Sequence, residues 1–507
     1  MTVSASTRTV VRVWPLDPDP SSDLLAPRHD LIVEERLDAD EPDVAHFRQL
    51  EGPFTEWRRT VRWTSDGWSE RTDYRLAIPW FGWLFALPVR FFVARRGHEP
   101  GRPGSDPGMP WWAPRDRLDA RTAAILGLLA AAAMSSAFVN TLFTQTVTFA
   151  ADDFGVGDTA IGIAGSIVRV GILITIPLAV LADRVGRRSV VVTVAWAAPI
   201  VTALGAIAPN FPLLVATQAV GRPLGLALDF LIAVIAAEEM PRNTRAYAVS
   251  ILAMASGLGA GIAVAALPLT DLGESSWRFV YLITLIWLVV AIDITRRLPE
   301  TRRFIAPHRE HVAIDRRRFA LLAGIAVGVN LFVAPASFFQ NRYLDEIRGL
   351  SGSGIAVFTL ATATPAALGL VLGGQLADRQ GRRRVIAVAL PVAATLITVS
   401  FSVGGSIMWI SAFAGGLAGG VAYPALAVYR SELFPTGNRG RAAGLLTVAA
   451  LLGGVIGLLA TGSLLDAGWS HAAVMAMLAS GQLVAVALVL GGLPETAHRE
   501  LEDLNPR

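Results

Sequence analysis

Cysteine and lysine are both absent from this chain of 507 residues, and charge of either sign is scarce. The lack of cysteine excludes disulfide bonds, cysteine–metal centres and thiol nucleophiles. All 44 basic residues are arginine, but the net charge is only +3, so the basic residues alone do not indicate a nucleic-acid partner. Only 17% of the residues are charged, against about 25% in soluble domains, and 53% are hydrophobic. This composition excludes an ordinary soluble globule and predicts a polytopic membrane protein.

The few charges are unevenly distributed along the chain. Residues 1–118 contain 18 acidic residues and 16 arginines, which is 34 of the 85 charges. The other 389 residues carry 51, or 13%. Residues 1–20 contain no apolar segment typical of a signal peptide. We therefore expect a charged N-terminal appendage, followed from about residue 120 by a membrane body.

Twelve apolar stretches in the membrane body are long enough to cross a bilayer as helices. They lie at 122–149, 158–182, 189–208, 211–238, 246–269, 277–297, 319–341, 353–377, 385–404, 407–430, 442–465 and 470–492. The links after spans 2, 4, 6, 8 and 10 carry 20 arginines when Arg296, Arg297 and Arg430 at the span ends are included, whereas the links after odd-numbered spans carry three, Arg278, Arg342 and Arg348. Because arginine concentrates on the cytoplasmic side of membrane proteins, both termini are predicted to be cytoplasmic. The protein is predicted to lie in the cell membrane.

Three motifs occur twice at a nearly constant offset. Asp-Arg-x-Gly-Arg-Arg begins at Asp183 and Asp378, Glu-x-x-Pro-x-x-x-Arg begins at Glu238 and Glu432, and Leu-Pro-Glu-Thr begins at Leu298 and Leu493. The offsets are 195, 194 and 195 residues. Such a repeat predicts two six-helix units, an arrangement that secondary transporters use to build a midplane site.

The predicted fold class is thus an all-α membrane protein with twelve helices in two six-helix repeats and a small α+β cytoplasmic extension. The predicted units are an N-terminal region with a β-hairpin and an amphipathic helix, a Pro/Gly-rich linker, the first bundle, a cytoplasmic central loop, the second bundle and a cytoplasmic tail. Their bounds are 1–97, 98–118, 119–298, 299–318, 319–497 and 498–507.

The repeated motifs resemble those of the major facilitator superfamily, and within it the sugar-porter-like branch, over residues 120–497. The sequence departs from that branch in span 7, which lacks its paired glutamines, and at Ala179, where the superfamily has glycine. The resemblance implies charge clusters that lock one conformation at the cytoplasmic side. The alternative is that the arginines only determine topology. The implied gate residues are Asp183, Arg184, Gly186, Arg187, Glu238, Arg245, Asp378, Arg379, Gly381, Arg382, Glu432 and Arg439.

Three ionisable residues fall deep inside the predicted spans: Arg169, Arg222 and Asp229. Charges inside a membrane are costly and commonly functional. In one interpretation Asp229 is a protonatable coupling site and an arginine binds an anionic substrate. In the other, the three residues form a fixed ion-pair network. Asp293, near the end of span 6, is interpreted as structural.

Helical spacing adds polar candidates for a substrate path. In span 4, Gln218 falls on the same helix face as Arg222 and Asp229. The other candidates, for each of which helix packing is the alternative, are Asn140, Gln145, Asn330, Asn341 and Tyr423.

The N-terminal region has one clear pattern. Residues 57–63 and 68–76 alternate around the turn Thr64–Gly67, which predicts a β-hairpin, and residues 79–96 predict an interfacial amphipathic helix. Residues 52–96 weakly resemble the end of a START-like polyketide-cyclase domain.

The predicted function is secondary active transport of a small organic solute, for which an anionic metabolite is the candidate, by alternating access coupled to protons. The alternatives are a multidrug/proton exporter and a non-transporting sensor. Neither catalysis, a metal nor a cofactor is predicted, because no nucleophile–base or metal constellation is visible. Expected partners are the solute, a proton and the lipid bilayer, but no nucleic acid. Substrate identity, direction and oligomeric state stay open.

Overall fold

The computed structural model describes residues 7–14, 24–37, 44–65, 67–94, 113–114, 116–241, 244–300, 314–434 and 439–496. Most of the predicted linker 98–118, most of the central loop 299–318 and the tail 498–507 lie outside the described residues. The same holds for the side chains of five predicted gate residues: Asp183, Arg245, Asp378, Glu432 and Arg439.

Twelve helices in the described part of the chain are long and apolar enough to cross a membrane, which confirms the predicted fold class. Spans 1 to 12 are Ala120–Asp153, Asp158–Ala182, Arg187–Ile207, Phe211–Ala236, Tyr247–Leu272, Trp277–Arg297, Arg316–Phe338, Gly352–Gly374, Arg382–Ser400, Gly405–Ala427, Ala442–Asp466 and His471–Gly492. We call the side reached by the links after even-numbered spans the arginine-rich face, and the other side the arginine-poor face.

Span 7 begins and ends earlier than its apolar run predicts. Asp315 caps its start, because the carboxylate accepts hydrogen bonds from the backbone N–H groups of Arg317 and Arg318 at 2.9 and 3.2 Å. The helix ends at Phe338, and Asn341 lies in a separate short helix, Gln340–Arg342. The predicted end of span 7 at residue 341 is therefore wrong, and Asn341 lies beyond the span.

Glycines at equivalent positions bring helices of each half into backbone contact. A Cβ atom on Gly259 of span 5 would lie 2.1 Å from the carbonyl oxygen of Met134 in span 1. A Cβ atom on Gly453 of span 11 would lie 2.3 Å from the carbonyl oxygen of Val327 in span 7. The same close crossing thus occurs once in each six-helix unit, as a repeated fold requires.

The two halves meet on the arginine-poor side. The first part of span 2, Asp158–Val170, packs along span 11, whereas its last part, Thr175–Val185, packs mainly on spans 3 and 4 of its own half. A Cβ atom on Gly162 or Gly462 would strike the backbone of the opposite half at 2.5 or 2.4 Å. The bundle is therefore closed at the arginine-poor face, and span 2 separates from span 11 toward the arginine-rich face.

The N-terminal region contains an antiparallel sheet of five strands in the order β1-β5-β4-β3-β2. The strands are β1 (Arg8–Trp14), β2 (Val33–Leu37), β3 (Val44–Glu51), β4 (Phe54–Thr64) and β5 (Gly67–Leu76), followed by helix α1 (Ala86–Ala94). The predicted hairpin is β4 and β5, paired from Phe54–Leu76 to Thr64–Gly67. The predicted amphipathic helix is shorter than 79–96.

A buried ion pair organises the interior of this sheet. Arg59 and Glu34 are joined by a bidentate contact, with the shortest N···O distance 2.7 Å, and both side chains are fully buried. The indole of Trp57 donates to the same carboxylate at 2.7 Å. Burial raises the pKa of Glu34, but hydrogen bonds and charge from Arg59, with donors from Arg28 and Trp57, outweigh it, so the pKa lies below its usual value.

Candidate substrate site

Arg169 and Arg222 lie at the middle of the membrane body. Each is the twelfth residue of its span, in spans of 25 and 26 residues. Spans 2 and 4 are in contact next to the two arginines, because a Cβ atom on Gly171 of span 2 would lie 2.4 Å from the carbonyl oxygen of Ala219 in span 4. This contact brings together the helix segments that carry the two arginines, so two positive charges lie on neighbouring segments.

The head of Arg169 reaches the boundary between the two halves. A Cβ atom on Gly454 of span 11 would lie 2.7 Å from the Nη1 atom of Arg169, and Ala334 of span 7 lines the same spot. One turn earlier in span 2, Gly165 packs against the ring of Phe338. Arg169 thus lies where the closed contact between the halves ends, at the inner limit of the space that opens toward the arginine-rich face.

No carboxylate within the described residues forms an ion pair with Arg169 or Arg222. Asp229 lies seven residues after Arg222, or roughly 10 Å along the helix, and forms no ion pair with described residues either. Its side chain is exposed. A carboxylate against lipid is strongly disfavoured, so water in the open part of the bundle is the favourable environment for this side chain. The structure therefore shows two adjacent cations and one separate carboxylate, rather than a closed ion-pair network.

Asn140 of span 1 adds an acceptor beside this pair. Gly225 of span 4 lies one turn from Arg222. A Cβ atom on Gly225 would lie 3.1 Å from the Oδ1 atom of Asn140. That oxygen is buried and has no hydrogen-bond partner among the described residues. The nearby Ser136 hydroxyl donates to the carbonyl of Gly225 at 2.7 Å, which holds spans 1 and 4 together.

The other predicted path residues lie elsewhere. Gln218 is fully buried and donates to the carbonyl of Thr202 in span 3, so it packs between helices. Asn341 donates to the backbone and side-chain oxygens of Gln145 at 2.8 and 3.0 Å, which joins the two halves. Asn330 donates to its own helix at Ala326, and Tyr423 is 64% exposed. The structure brings Asn140 to the arginine pair, whereas Gln218 and Asn341 serve helix contacts.

The repeated motifs form matching turns at the arginine-rich face. Gly186 and Gly381 have φ values of +99° and +93°, a region that favours glycine. Against each glycine lies the glutamate of the Leu-Pro-Glu-Thr motif, Glu300 or Glu495. These carboxylates accept hydrogen bonds from the first backbone N–H groups of spans 3 and 9, at 2.9 to 3.2 Å. They cap the helices, a role that the sequence did not suggest.

Two of the predicted gate arginines, both in the first motif copy, differ in their contacts. Arg187 forms an ion pair with Glu238, whereas Arg184 is exposed. The pair connects the start of span 3 with the helical residues just after span 4, so it lies within the first half and does not by itself connect the two halves. In the second copy Arg379 is exposed and Arg382 is buried.

A polar network at the arginine-poor face joins the two halves. Arg342, after span 7, contacts Asp152 and Asp158 of the first half and Glu346 of its own. Burial lowers the pKa of Arg342, but the three carboxylates outweigh it, so the guanidinium has a raised pKa and stays charged. The Asp466 carboxylate accepts from the backbone N–H groups of Asp158 and Thr159 at 3.0 and 2.9 Å. The sequence shows Arg342 only as a loop arginine, because its partners Asp152 and Asp158 lie 190 and 184 residues away in the chain.

Comparison with known proteins agrees with this architecture. Residues 125–361 and 320–505 match the Major Facilitator Superfamily, which together is most of the chain. The chain belongs to the Major Facilitator Superfamily. This places the twelve spans and the two repeated units in a transporter family.

Within the superfamily, the sequence is 27% identical over 327 residues to a gentisate transporter of Corynebacterium glutamicum, covering 60% of this chain and 73% of that protein. It is 26% identical over 220 residues to a cis,cis-muconate transport protein of Acinetobacter baylyi, covering 39% of this chain and 53% of that protein.

Solved structures of the superfamily have the same fold. The xylose transporter of E. coli, in an inward-open conformation, superposes with a TM-score of 0.63 at 15% identity, covering 76% of this chain and 99% of that one. A bacterial homologue of the human lysosomal transporter Spinster, inward-facing and unoccupied, gives a TM-score of 0.58 at 19% identity, covering 76% and 95%.

Proposed function

We propose that this superfamily transporter carries a small organic carboxylate across the cell membrane by alternating access, coupled to protons. The observation that carries the proposal is the pair Arg169 and Arg222, on contacting segments of spans 2 and 4 at mid-membrane and without an ion-pair partner among the described residues. Two uncompensated cations in a low-dielectric site are costly unless an anion joins them. Guanidinium groups bind carboxylates through paired hydrogen bonds, so a carboxylate is the matching occupant.

The relatives support this substrate class. Gentisate and cis,cis-muconate, the compounds in the names of the two relatives, are both carboxylates of small unsaturated carbon skeletons. The apolar helix surfaces around the arginines suit such a skeleton, and Asn140 offers an acceptor for a hydroxyl group. We assign an aromatic or conjugated carboxylate as substrate rather than a hexose. The branch assignment to sugar-porter-like carriers then rests on the loop motifs alone.

Orientation and coupling complete the proposal. The arginine-rich face is the cytoplasmic one, as the arginine distribution favours, so the conformation described here opens to the cytoplasm. Asp229 faces the open space and binds the coupling proton. Residues 1–97 form a cytoplasmic appendage, and neither a cofactor nor catalysis enters the mechanism.

The test of anion recognition is substrate exchange in proteoliposomes without a pH gradient. Labelled gentisate should exchange, and benzoate-type carboxylates should compete, whereas their neutral amides and hexoses should not. Arg222→Gln should weaken carboxylate competition by ten- to a hundredfold, because a hydrogen bond to a charged group contributes about 1.5–3 kcal/mol. Arg384→Gln, which changes an exposed arginine in the first turn of span 9, is the matched control and should behave as the wild type. Equal competition by acids and amides contradicts the proposal.

A further inference from the structure

A large cavity lies away from the substrate site, between the N-terminal sheet and the outer flank of spans 1 and 6. Its volume is about 1380 Å³. The sheet contributes Arg8 and Arg75, span 1 contributes Ile125 and Leu128, and span 6 contributes Arg296 with its apolar neighbours. None of Arg169, Arg222 and Asp229 lines it. The cavity therefore needs an explanation separate from transport.

The lining of this cavity is strongly cationic. Among the described residues it holds five arginines, Arg8, Arg75, Arg121, Arg296 and Arg297, and one acid, Asp293, a net charge of +4. Asp293 is already engaged, by Arg297 at 2.8 Å and by the Trp80 indole at 3.1 Å. Within the described part of the chain, neither Arg8 nor Arg296 has a carboxylate in ion-pair range. Two arginines from different domains thus face the cavity without an acidic partner there.

The rest of the cavity wall is apolar and continues onto the surface that lipid covers. Val289 and Ile292 of span 6 line the cavity and are exposed, at 51% and 36%. The connecting segment and helix α1 expose Trp83, Leu84, Leu87 and Phe91, and Trp83 is 70% exposed. Tryptophan and arginine on one surface beside helix ends are typical of the membrane interface. The cationic side of the cavity therefore suits a lipid headgroup, and the apolar side suits its hydrocarbon chains.

We propose that this cavity binds an anionic phospholipid, with its phosphate between Arg8 and Arg296 and its acyl chains along spans 1 and 6. Arginine binds phosphate through paired, charge-assisted hydrogen bonds. A free phosphate would leave the apolar wall uncovered, whereas a lipid covers both parts. Since Arg8 belongs to the sheet and Arg296 to the membrane body, the bound lipid ties the appendage to the bundle and to an anionic membrane.

The experiment compares lipid retention by the full-length protein in detergent, using native mass spectrometry with added phosphatidylglycerol or phosphatidylcholine. We expect the wild type to retain phosphatidylglycerol preferentially. The double variant Arg8→Gln/Arg296→Gln should bind phosphatidylglycerol roughly thirtyfold more weakly. Arg384→Gln, an exposed arginine on the second half, should retain the preference. Hydrogen exchange of β4 and β5, unchanged in the double variant, confirms that its sheet is folded.

Three results overturn the proposal. They are equal retention of the two lipids by the wild type, equal retention of phosphatidylglycerol by the wild type and the double variant, and displacement of bound phosphatidylglycerol by millimolar inorganic phosphate. The last result would assign the site to a free anion instead of a lipid.

Discussion

At the scale of single residues, the mechanism depends on which membrane charges have partners. Counting residues along the apolar spans of the sequence predicted that Arg169, Arg222 and Asp229 lie deep in the membrane. It could not show that Arg169 ends against Gly454, because that contact depends on how the two halves pack. Nor could helical spacing alone separate Gln218, which bonds to span 3, from Asn140, which lies beside the arginines.

Replacing Asp229 should separate coupling from exchange. In Asp229→Asn the side chain keeps its size but can no longer bind the coupling proton. Accumulation of labelled carboxylate in response to an imposed pH gradient should be abolished, whereas exchange without a gradient should persist. The matched control is Asp293→Asn, at the membrane edge on span 6, which should retain gradient-driven accumulation. Undiminished accumulation by Asp229→Asn would remove this residue from the coupling mechanism.

At the scale of elements, the turns after spans 2 and 8 explain why one motif occurs twice. Each turn combines a glycine with positive φ and a distant glutamate that caps the next helix. The motif spacing indicated the turns, but a carboxylate 112 or 113 residues away leaves no local signal. The repeated Pro-Glu-Thr ending, at the same offset as the turn, was the available clue.

Gly381→Ala should destabilise the protein, because alanine at φ +93° costs about 1–3 kcal/mol and its Cβ atom would lie 2.7 Å from a Glu495 oxygen. The midpoint of thermal unfolding in detergent should fall. Gly374→Ala is the control: Gly374 lies in the helix that ends just before Gly381, with open space around its Cβ position, so stability should stay equal or rise. Equal melting of both variants would contradict this role for Gly381.

The N-terminal sheet shows where local patterns fail. Alternation predicted β4 and β5, which pair across a short turn. Strand β1 pairs with β5, some 60 residues away, and β2 and β3 carry charged residues that mask their alternation. Pairing between distant segments leaves little trace in a local window, so three of the five strands were missed.

Glu34→Gln should loosen this sheet. Breaking a buried ion pair costs about 3–5 kcal/mol, so hydrogen exchange in β4 and β5 of the full chain should accelerate at least a hundredfold. The neighbouring Glu35→Gln removes only an exposed pair with Arg48 and should change little.

The same carboxylate gives the sheet a predicted pH dependence. Because the pKa of Glu34 is lowered, its stabilisation is present above the ordinary value of 4.5 and is lost as the pH falls through the depressed pKa. Exchange protection in wild type should therefore decline below about pH 4.5, and this decline should be smaller in Glu34→Gln. Identical pH profiles of the two proteins would contradict the assignment.

At the scale of the whole molecule, polar contacts across the arginine-poor face hold the described conformation. Arg342 connects to Asp152 and Asp158, and Asp271 accepts from the backbone of Gly352 at 2.6 Å in the opposite half. Composition and the repeat predicted the two halves, but not which face was closed. That depends on a balance between two conformations of one sequence, which no residue pattern encodes.

Arg342→Gln should shift this balance toward opening of the arginine-poor face. The chain has no cysteine, so one cysteine introduced at the buried Ser166 reports access without background. Its labelling by a maleimide applied from the arginine-poor side should increase. Arg348→Gln is the control, because Arg348 contacts Tyr343 and Gly404 of its own half. Labelling no faster than in that control would show that Arg342 does not hold the face closed.

The central claim is that the arginine pair binds a carboxylate whose transport is driven by protons. The most direct measurement is uptake of labelled gentisate into proteoliposomes with an alkaline interior, for wild type and Arg222→Gln. The predicted result is uphill accumulation by the wild type that collapses with the pH gradient and is lost in the variant. Accumulation that does not depend on the pH gradient, or that is retained in Arg222→Gln, would contradict the central claim.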